Sequence, residues 1–240
     1  MSGTRDQPVL PIWPTGASPE YQAARMELAR AERALRDQVE AVAAARRAMP
    51  PGPVLRDYDL AEDGPEGPVR TPLRELFDGH DTVFVYHLMF HPDHDAACPM
   101  CSMWVDGLRG VATHLAQHTA FVVIAKAPLD KLRAWADRRG WSGLRLLSSY
   151  GTTFNADLNA ERPNGEQRPM VSVLRDEGGL VRHLYSLPAN HFDGTERGID
   201  LLNPVWNVLD LLPAGRGDWY ASNDYIPAHA GDRMAGSSSA

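Results

Sequence analysis

Three rhythms of apolar and polar positions run along this chain. The first is helical. No glycine or proline interrupts Glu20 to Met49, and the less polar residues fall at Tyr21, Ala24, Leu28, Ala31, Leu35, Gln38, Val42, Ala45 and Met49. Spacings of three and four repeat as a heptad pattern. Ser18 is a good N-cap and Pro19 suits the first helical position. Pro50-Pro51-Gly52-Pro53 cannot continue a helix. The pattern predicts a helical arm over 18–49, preceded by an irregular segment, 1–17. Alanine and glutamine occupy one row of the stripe, so it is thin. It either lies along its own domain or pairs with a second copy as a homodimer through residues 18–49.

The second rhythm is that of strands. Arg56 to Leu60 and Pro68 to Arg70 flank the turn Gly64-Pro65-Glu66-Gly67 and predict a hairpin. Thr71–Phe77 predicts a short helix capped by Thr71, with Pro72 at its first position. Thr82–Phe90 carries apolar residues on both faces, as the central strand of a covered sheet does. Phe121–Ala125 and Leu144–Ser149 predict two more strands. Met170–Arg175 and Leu180–Ser186 predict an antiparallel pair across Asp176-Glu177-Gly178-Gly179.

The third rhythm joins these strands. A helix is predicted from Cys98 to about Gln117, and another from Pro128 to Arg139, stopped by Gly140. Residues 150–168 read as loop. Gly198–Leu212 reads as a buried closing helix interrupted by Pro204, and 216–240 as a flexible tail. The order is hairpin, βαβ, a further strand, then ββα. That is the plan of an α/β, thioredoxin-like three-layer sandwich over 53–215, with a long N-terminal helical arm.

Composition narrows the function classes. With 43% hydrophobic and 23% charged residues, the 240-residue chain is globular in character. A formal charge of −7 argues against a nucleic-acid partner, which calls for a basic face. No apolar run is long enough to span a membrane, and the start of the chain shows no secretory h-region, so a cytoplasmic location is expected. Two cysteines make no disulfide framework.

Both of those cysteines stand in Cys98-Pro99-Met100-Cys101, at the predicted junction of the central strand and the helix that follows it. A helix start offers unpaired N–H groups and partial positive charge, which favour a thiolate. Spacing of i,i+3 puts both sulfurs on one face. In a redox reading Cys98 is the attacking thiolate and Cys101 the resolving thiol, with no cofactor required. A second reading adds His87, His91 and His94. Two thiolates and imidazoles suit copper, or less well zinc, and would make a Cys/His oxidase or monooxygenase acting on a sulfur-containing small molecule. His91 and His94 are then ligands rather than ordinary loop residues, and His87 a ligand rather than a core histidine. Asp93 and Asp95 could orient the imidazoles. A third reading is a non-enzymatic dimeric interaction protein whose arm pairs and whose thiols are vestigial. Trp104 reads as core or as a pocket wall. Ser148-Ser149-Tyr150-Gly151 and Asn155 read as a turn or as lining of the same cleft. His114 and His118, spaced i,i+4, read as surface or packing residues.

Several segments together resemble DUF899, a family of thioredoxin-like proteins labelled as predicted dithiol–disulfide oxidoreductases. They are Asp63–Pro68, Val85–Phe90, Cys98–Ser102 with Trp104 and Asp106, Ser148–Gly151, Ser172–Asp176 and Leu209–Pro213. The resemblance spans about residues 55–220. It implies a thiol or disulfide substrate, either a small molecule or a protein. It also gives Pro169 the place where thioredoxin-like folds hold a cis-proline facing the dithiol. His91 and His94 depart from the family pattern.

Overall fold

The computed structural model describes residues 10–224. The expected irregular start and flexible tail therefore lie partly outside the described residues, at 1–9 and 225–240. The chain forms two compact units, Met1–Pro50 and Pro51–Ala240.

The first unit holds helix α1, Pro19–Arg47. The Ser18 hydroxyl accepts the Tyr21 N–H at 3.2 Å and caps it, as its sequence predicts. Glu20 in the first turn and Arg46 and Arg47 in the last complement the helix dipole. No residue of α1 is buried. Tyr21, Leu28, Leu35 and Val42, one row of the heptad stripe, are exposed.

The second unit runs β1 (Asp59–Gly64), β2 (Gly67–Pro72), a 3-10 turn at Leu73–Glu75, β3 (Thr82–Leu88), α2 (Pro99–Arg109), α3 (Ala112–Leu115), β4 (Ala120–Ala125), α4 (Leu129–Arg139), β5 (Arg145–Ser148), α5 (Phe154–Asp157), β6 (Met170–Glu177), β7 (Leu180–Pro188), a 3-10 turn at Asp200–Leu202, and α6 (Pro204–Leu209). The strands form a seven-stranded sheet in the order β2-β1-β5-β4-β3-β6-β7. β3, β4 and β5 are parallel, and β6 and β7 run antiparallel beside β3. A βαβα crossover on one side of β3 and a hairpin plus helix on the other is the thioredoxin-like α/β arrangement. β1 meets β5 at one register pair, Ala61 with Ser148. A two-pronged bond from Arg145 to Glu62, at 2.8 and 2.9 Å, reinforces that seam.

Strand alternation divides β3 between two cores. Tyr86 and Leu88, with Phe90 beyond them, pack against Cys101, Trp104 and Val105 of α2, Leu132 and Trp135 of α4, and Trp206 of α6. Val83 and Val85 pack on the other face with Tyr58, Leu73, Leu76 and Phe154. Each large side chain so enclosed contributes about 1.5–3 kcal/mol relative to exposure. β3 is thus covered on both faces, which is why its sequence is continuously apolar.

Four boundaries differ from the sequence expectation. The thiol helix stops at Arg109 instead of Gln117, because Gly107 and Gly110 lie in that stretch and each weakens a helix by about 1 kcal/mol relative to alanine. Thr71 does not cap a helix. It stays in β2, and its hydroxyl donates to Glu62 at 2.5 Å. The 150–168 loop contains α5. Pro204 does not interrupt the closing helix but begins it, with the Asn203 carboxamide oxygen accepting the Val205 N–H at 2.8 Å. That helix is short and buries only Trp206.

Candidate active site

Cys98 sits where β3 turns into α2. Its backbone N–H donates to the Met89 carbonyl at 2.9 Å. Its own carbonyl accepts from the Ser102 N–H at 2.9 Å and from the Ser102 hydroxyl at 3.1 Å. The Trp135 indole N–H donates to that hydroxyl at 3.1 Å, which ties the first turn of α2 to α4. Pro99 fills the first helical position, where no N–H is missed. The intervening loop is also held. Lys131 donates to the Pro92 and His94 carbonyls at 2.9 and 3.0 Å and reaches Asp95 at 3.2 Å.

Both cysteines are free, Cys98 partly exposed and Cys101 buried. The Cys101 thiol hydrogen-bonds the Cys98 sulfur and is the largest cause that draws the Cys98 pKa down, to about 6. Burial opposes this, and the backbone N–H groups of Cys101 and Met100 add to it. Cys101 is pushed well above its ordinary value, first because it donates to Cys98 and then by burial. The Tyr86 hydroxyl is fully buried and has no partner of hydrogen-bond geometry among the described residues. It nonetheless stands close enough to the Cys101 sulfur to favour its thiolate. The surroundings thus favour the thiolate at Cys98 and the thiol at Cys101.

A cavity of about 730 Å³ opens onto Cys98. Met89, Ala96, Ala97 and Pro99 give it apolar walls, His91 and His94 line it from the loop, and Gln167 and Asn223 contribute amides. The Gln167 Oε1 accepts the Phe90 N–H at 2.9 Å, and the Asn223 Nδ2 donates to the Ala97 carbonyl at 3.1 Å. Gln167, Asn223 and Tyr86 are not singled out by the sequence. Gln167 stands two residues before Pro169, in a segment already noted. Asn223 has no local signal, because only the tertiary fold brings it to Ala97.

The structure does not bring the five metal-ligand candidates together. Cys98, His91 and His94 line one cavity, and Cys101 lies just behind Cys98. His87 instead faces the opposite side of the sheet, as strand alternation dictates for a neighbour of Tyr86 and Leu88. There it stacks on Phe154 and bonds the Ser172 hydroxyl at 2.9 Å. Burial lowers its pKa to about 3. His91 Nδ1 accepts the Asp93 N–H, while Asp95 pairs with Lys131 and orients no imidazole. Among the described residues no three His, Cys, Asp or Glu side chains are placed to hold a metal ion. The copper site expected as an alternative is thus not supported by the geometry.

No peptide bond among the described residues is cis, and Pro169 does not line the cavity at Cys98. Its carbonyl accepts the Ala189 N–H at 2.8 Å, which continues the β6–β7 ladder. Trp104 is core. Ser148, Ser149 and Asn155 are buried in a bonded turn away from the thiols, with Ser149 donating to the Asn155 oxygen at 2.5 Å. His114 and His118 are exposed. No helix among the described residues is long and apolar enough to cross a membrane.

The family described as "Bacterial protein of unknown function (DUF899)" matches residues 12–231. No curated protein matches the chain. Solved structures similar to it include three in which less than two thirds of this chain is covered. The peroxidoxin BcpB from Mycobacterium tuberculosis is 20% identical with a TM-score of 0.46, covering 58% of this chain and 86% of its own. A putative thioredoxin reductase from Burkholderia cenocepacia is 17% identical with a TM-score of 0.45, covering 64% and 96%. The AhpC of Enterococcus faecalis is 14% identical with a TM-score of 0.48, covering 63% and 87%.

Proposed function

The chain belongs to the DUF899 family of bacterial proteins of unknown function, and from that premise we propose that it is a thiol–disulfide oxidoreductase acting through Cys98 and Cys101. One arrangement supports the reading above the others: the partly exposed Cys98 caps the start of α2 on an open cavity with the buried Cys101 one turn behind it, a setting that draws its pKa down to about 6. A thiolate with a pKa near ambient pH is the optimal attacker of a disulfide.

In the reductive direction the Cys98 thiolate attacks one sulfur of a disulfide RS–SR. A Cys98–SR bond forms, the RS–SR bond breaks, and RS⁻ leaves to be protonated by solvent. Negative charge on Cys98 is thereby consumed, which removes the main cause of the high Cys101 pKa. Cys101 loses its proton to solvent and attacks the Cys98 sulfur, and the second RS⁻ leaves. Two electrons pass from the dithiol to the substrate, and the protein ends with a Cys98–Cys101 disulfide. An external dithiol returns it to the start.

The reading is tested by single turnover of the reduced protein with a small disulfide, followed by intact mass and a thiol count. The wild type is expected to lose both thiols and carry no adduct. Cys101→Ser should stop as an adduct on Cys98, and Cys98→Ser should not react. A Cys98→Ser protein that reacts at the wild-type rate overturns the proposal.

A further inference from the structure

A chain of four hydrogen-bonded side chains runs along the face of the sheet opposite the thiols. His87 Nε2 lies 2.9 Å from the Ser172 hydroxyl, that hydroxyl 2.8 Å from the Ser186 hydroxyl, and Ser186 2.7 Å from His183 Nε2. His183 and Ser186 are three residues apart on β7, so regular alternation would send them to opposite faces. A β-bulge brings them together. Leu174 pairs with His183 but Val173 with Tyr185, which leaves Leu184 as the extra residue. The histidine is also held from its other side. The Gly52 N–H donates to the His183 carbonyl and the His183 N–H to the Pro53 carbonyl, both at 3.0 Å. A Cβ on Gly52 would stand 2.6 Å from that His183 carbonyl oxygen and 3.1 Å from His183 Nδ1, so the close approach needs glycine.

His183 and Ser186 are half-buried and line a cavity of about 360 Å³. None of its lining residues belongs to the cavity at Cys98. Leu55, Leu158 and Met170 give it apolar walls, and Arg168 lines it with a cation. Asp157, on the same cavity, is engaged by Arg56 at 3.3 Å and by the Tyr58 hydroxyl at 2.8 Å. The buried end of the chain sets its direction. His87 Nδ1 is buried without a partner among the described residues, and a bare acceptor is better tolerated there than an orphaned N–H. That places the His87 proton on Nε2, donating to Ser172. Each hydroxyl has one hydrogen, so Ser172 donates to Ser186 and Ser186 to His183. Burial lowers the His183 pKa and so favours the neutral ring that can accept.

We propose that Ser186 and His183 form a second reactive site, a nucleophile and its general base for acyl transfer from small carboxylic esters. A serine hydroxyl that donates to a positioned imidazole at a cavity is the arrangement that activates serine. Ser186 Oγ attacks the ester carbonyl carbon, and its proton passes to His183 Nε2. The carbonyl oxygen takes on negative charge, for which Arg168 is the cation lining the same cavity. The bond from carbon to the leaving alkoxide breaks as His183 gives that alkoxide the proton. Water then attacks the acyl group on Ser186 and gives a proton to His183. The acid leaves and the proton returns to Ser186. No electrons are exchanged, and neither cysteine takes part. A cavity of about 360 Å³ lies near the lower end of the range for ligand pockets, which suits short acyl groups.

The test uses the full-length protein carrying Cys98→Ala, so that the thiolate cannot attack the ester itself, with p-nitrophenyl acetate as the probe. Release of p-nitrophenol is followed, and the acid-quenched protein is mapped by peptide mass. An acetyl group is expected on Ser186. Adding Ser186→Ala should abolish both the label and the release above background. Adding His183→Gln keeps a hydrogen-bonding side chain beside Ser186 but no base, and should slow release by about a hundredfold or more. In the wild-type background, Ser186→Ala should leave disulfide exchange at Cys98 unchanged, which also shows that the variant folds. Release that is equally fast with and without Ser186→Ala overturns the proposal, as does release that His183→Gln leaves unaltered.

Discussion

The Met89 carbonyl accepts the Cys98 amide hydrogen at 2.9 Å, across the whole loop that separates them. The residue that follows β3 and the first turn of α2 are therefore tied together at Cys98. Ser102 and Trp135 are bonded behind it. What remains adjustable is the protonation of the two sulfurs.

Alkylation of the reduced protein by iodoacetamide reads that protonation directly. Cys98 reacts as thiolate, so its rate should rise with pH through about 6, while Cys101 stays silent by peptide mass analysis. In Cys101→Ala the largest cause of the low pKa is gone, and the midpoint should climb toward the ~8.5 of a free thiol. An identical profile in the variant would show that the buried partner does not tune the nucleophile.

Tyr86→Phe separates the second step from the first. The hydroxyl favours the Cys101 thiolate, so its loss should leave attack by Cys98 unchanged and lengthen the life of the Cys98 mixed disulfide by about five- to tenfold, the scale of one modest hydrogen bond. Because that hydroxyl is buried without a partner of good geometry, removing it should hold the melting temperature level or raise it. Quenched-flow mass analysis of the adduct would decide. Unchanged decay of the adduct would reduce Tyr86 to packing.

Much of this was legible in the residues, and the failures share a cause. Ser18 with Pro19, the strands on either side of Gly178-Gly179, and Cys98 at the start of α2 are local signals, and each element formed where its signal lay. The amides of Gln167 and Asn223 are not local. Each is defined by a backbone group far away in sequence, Phe90 for one and Ala97 for the other. His87 misled in the other direction. It is close to the thiols along the chain, yet one residue of strand alternation sends it through the sheet to Ser172. Proximity in sequence suggested a ligand set that the pleat of β3 divides.

His87 in turn gives folding a pH dependence of known sign. Its folded pKa is about 3 and an unfolded histidine titrates near 6.5. Between those values the unfolded chain binds a proton that the folded chain refuses. Stability is therefore full above about 6.5 and falls with pH through that window, by up to ~1.4 kcal/mol per pH unit. Between about 5.5 and 6.5 ordinary carboxylates are almost fully ionised in the folded and unfolded chain alike, so the slope there belongs mainly to histidines. His183, whose pKa burial also lowers, adds to it with the same sign. Urea unfolding of His87→Gln, whose amide can either donate to or accept from Ser172, should show a clearly flatter slope over that range. Equal slopes would mean that His87 titrates alike folded and unfolded.

The exposed stripe of α1 calls for a partner, and a second copy of the same helix is the one we propose. Leu28 and Leu35 stand 53% and 61% exposed on it, and a leucine buried in a pairing would contribute about 1.5–3 kcal/mol. Sedimentation at micromolar concentration should then find a dimer for the wild type and a monomer for the double variant Leu28→Lys, Leu35→Lys, with helix content by circular dichroism alike in both. A monomeric wild type would remove the pairing. A dimer that survives both lysines would move its interface elsewhere.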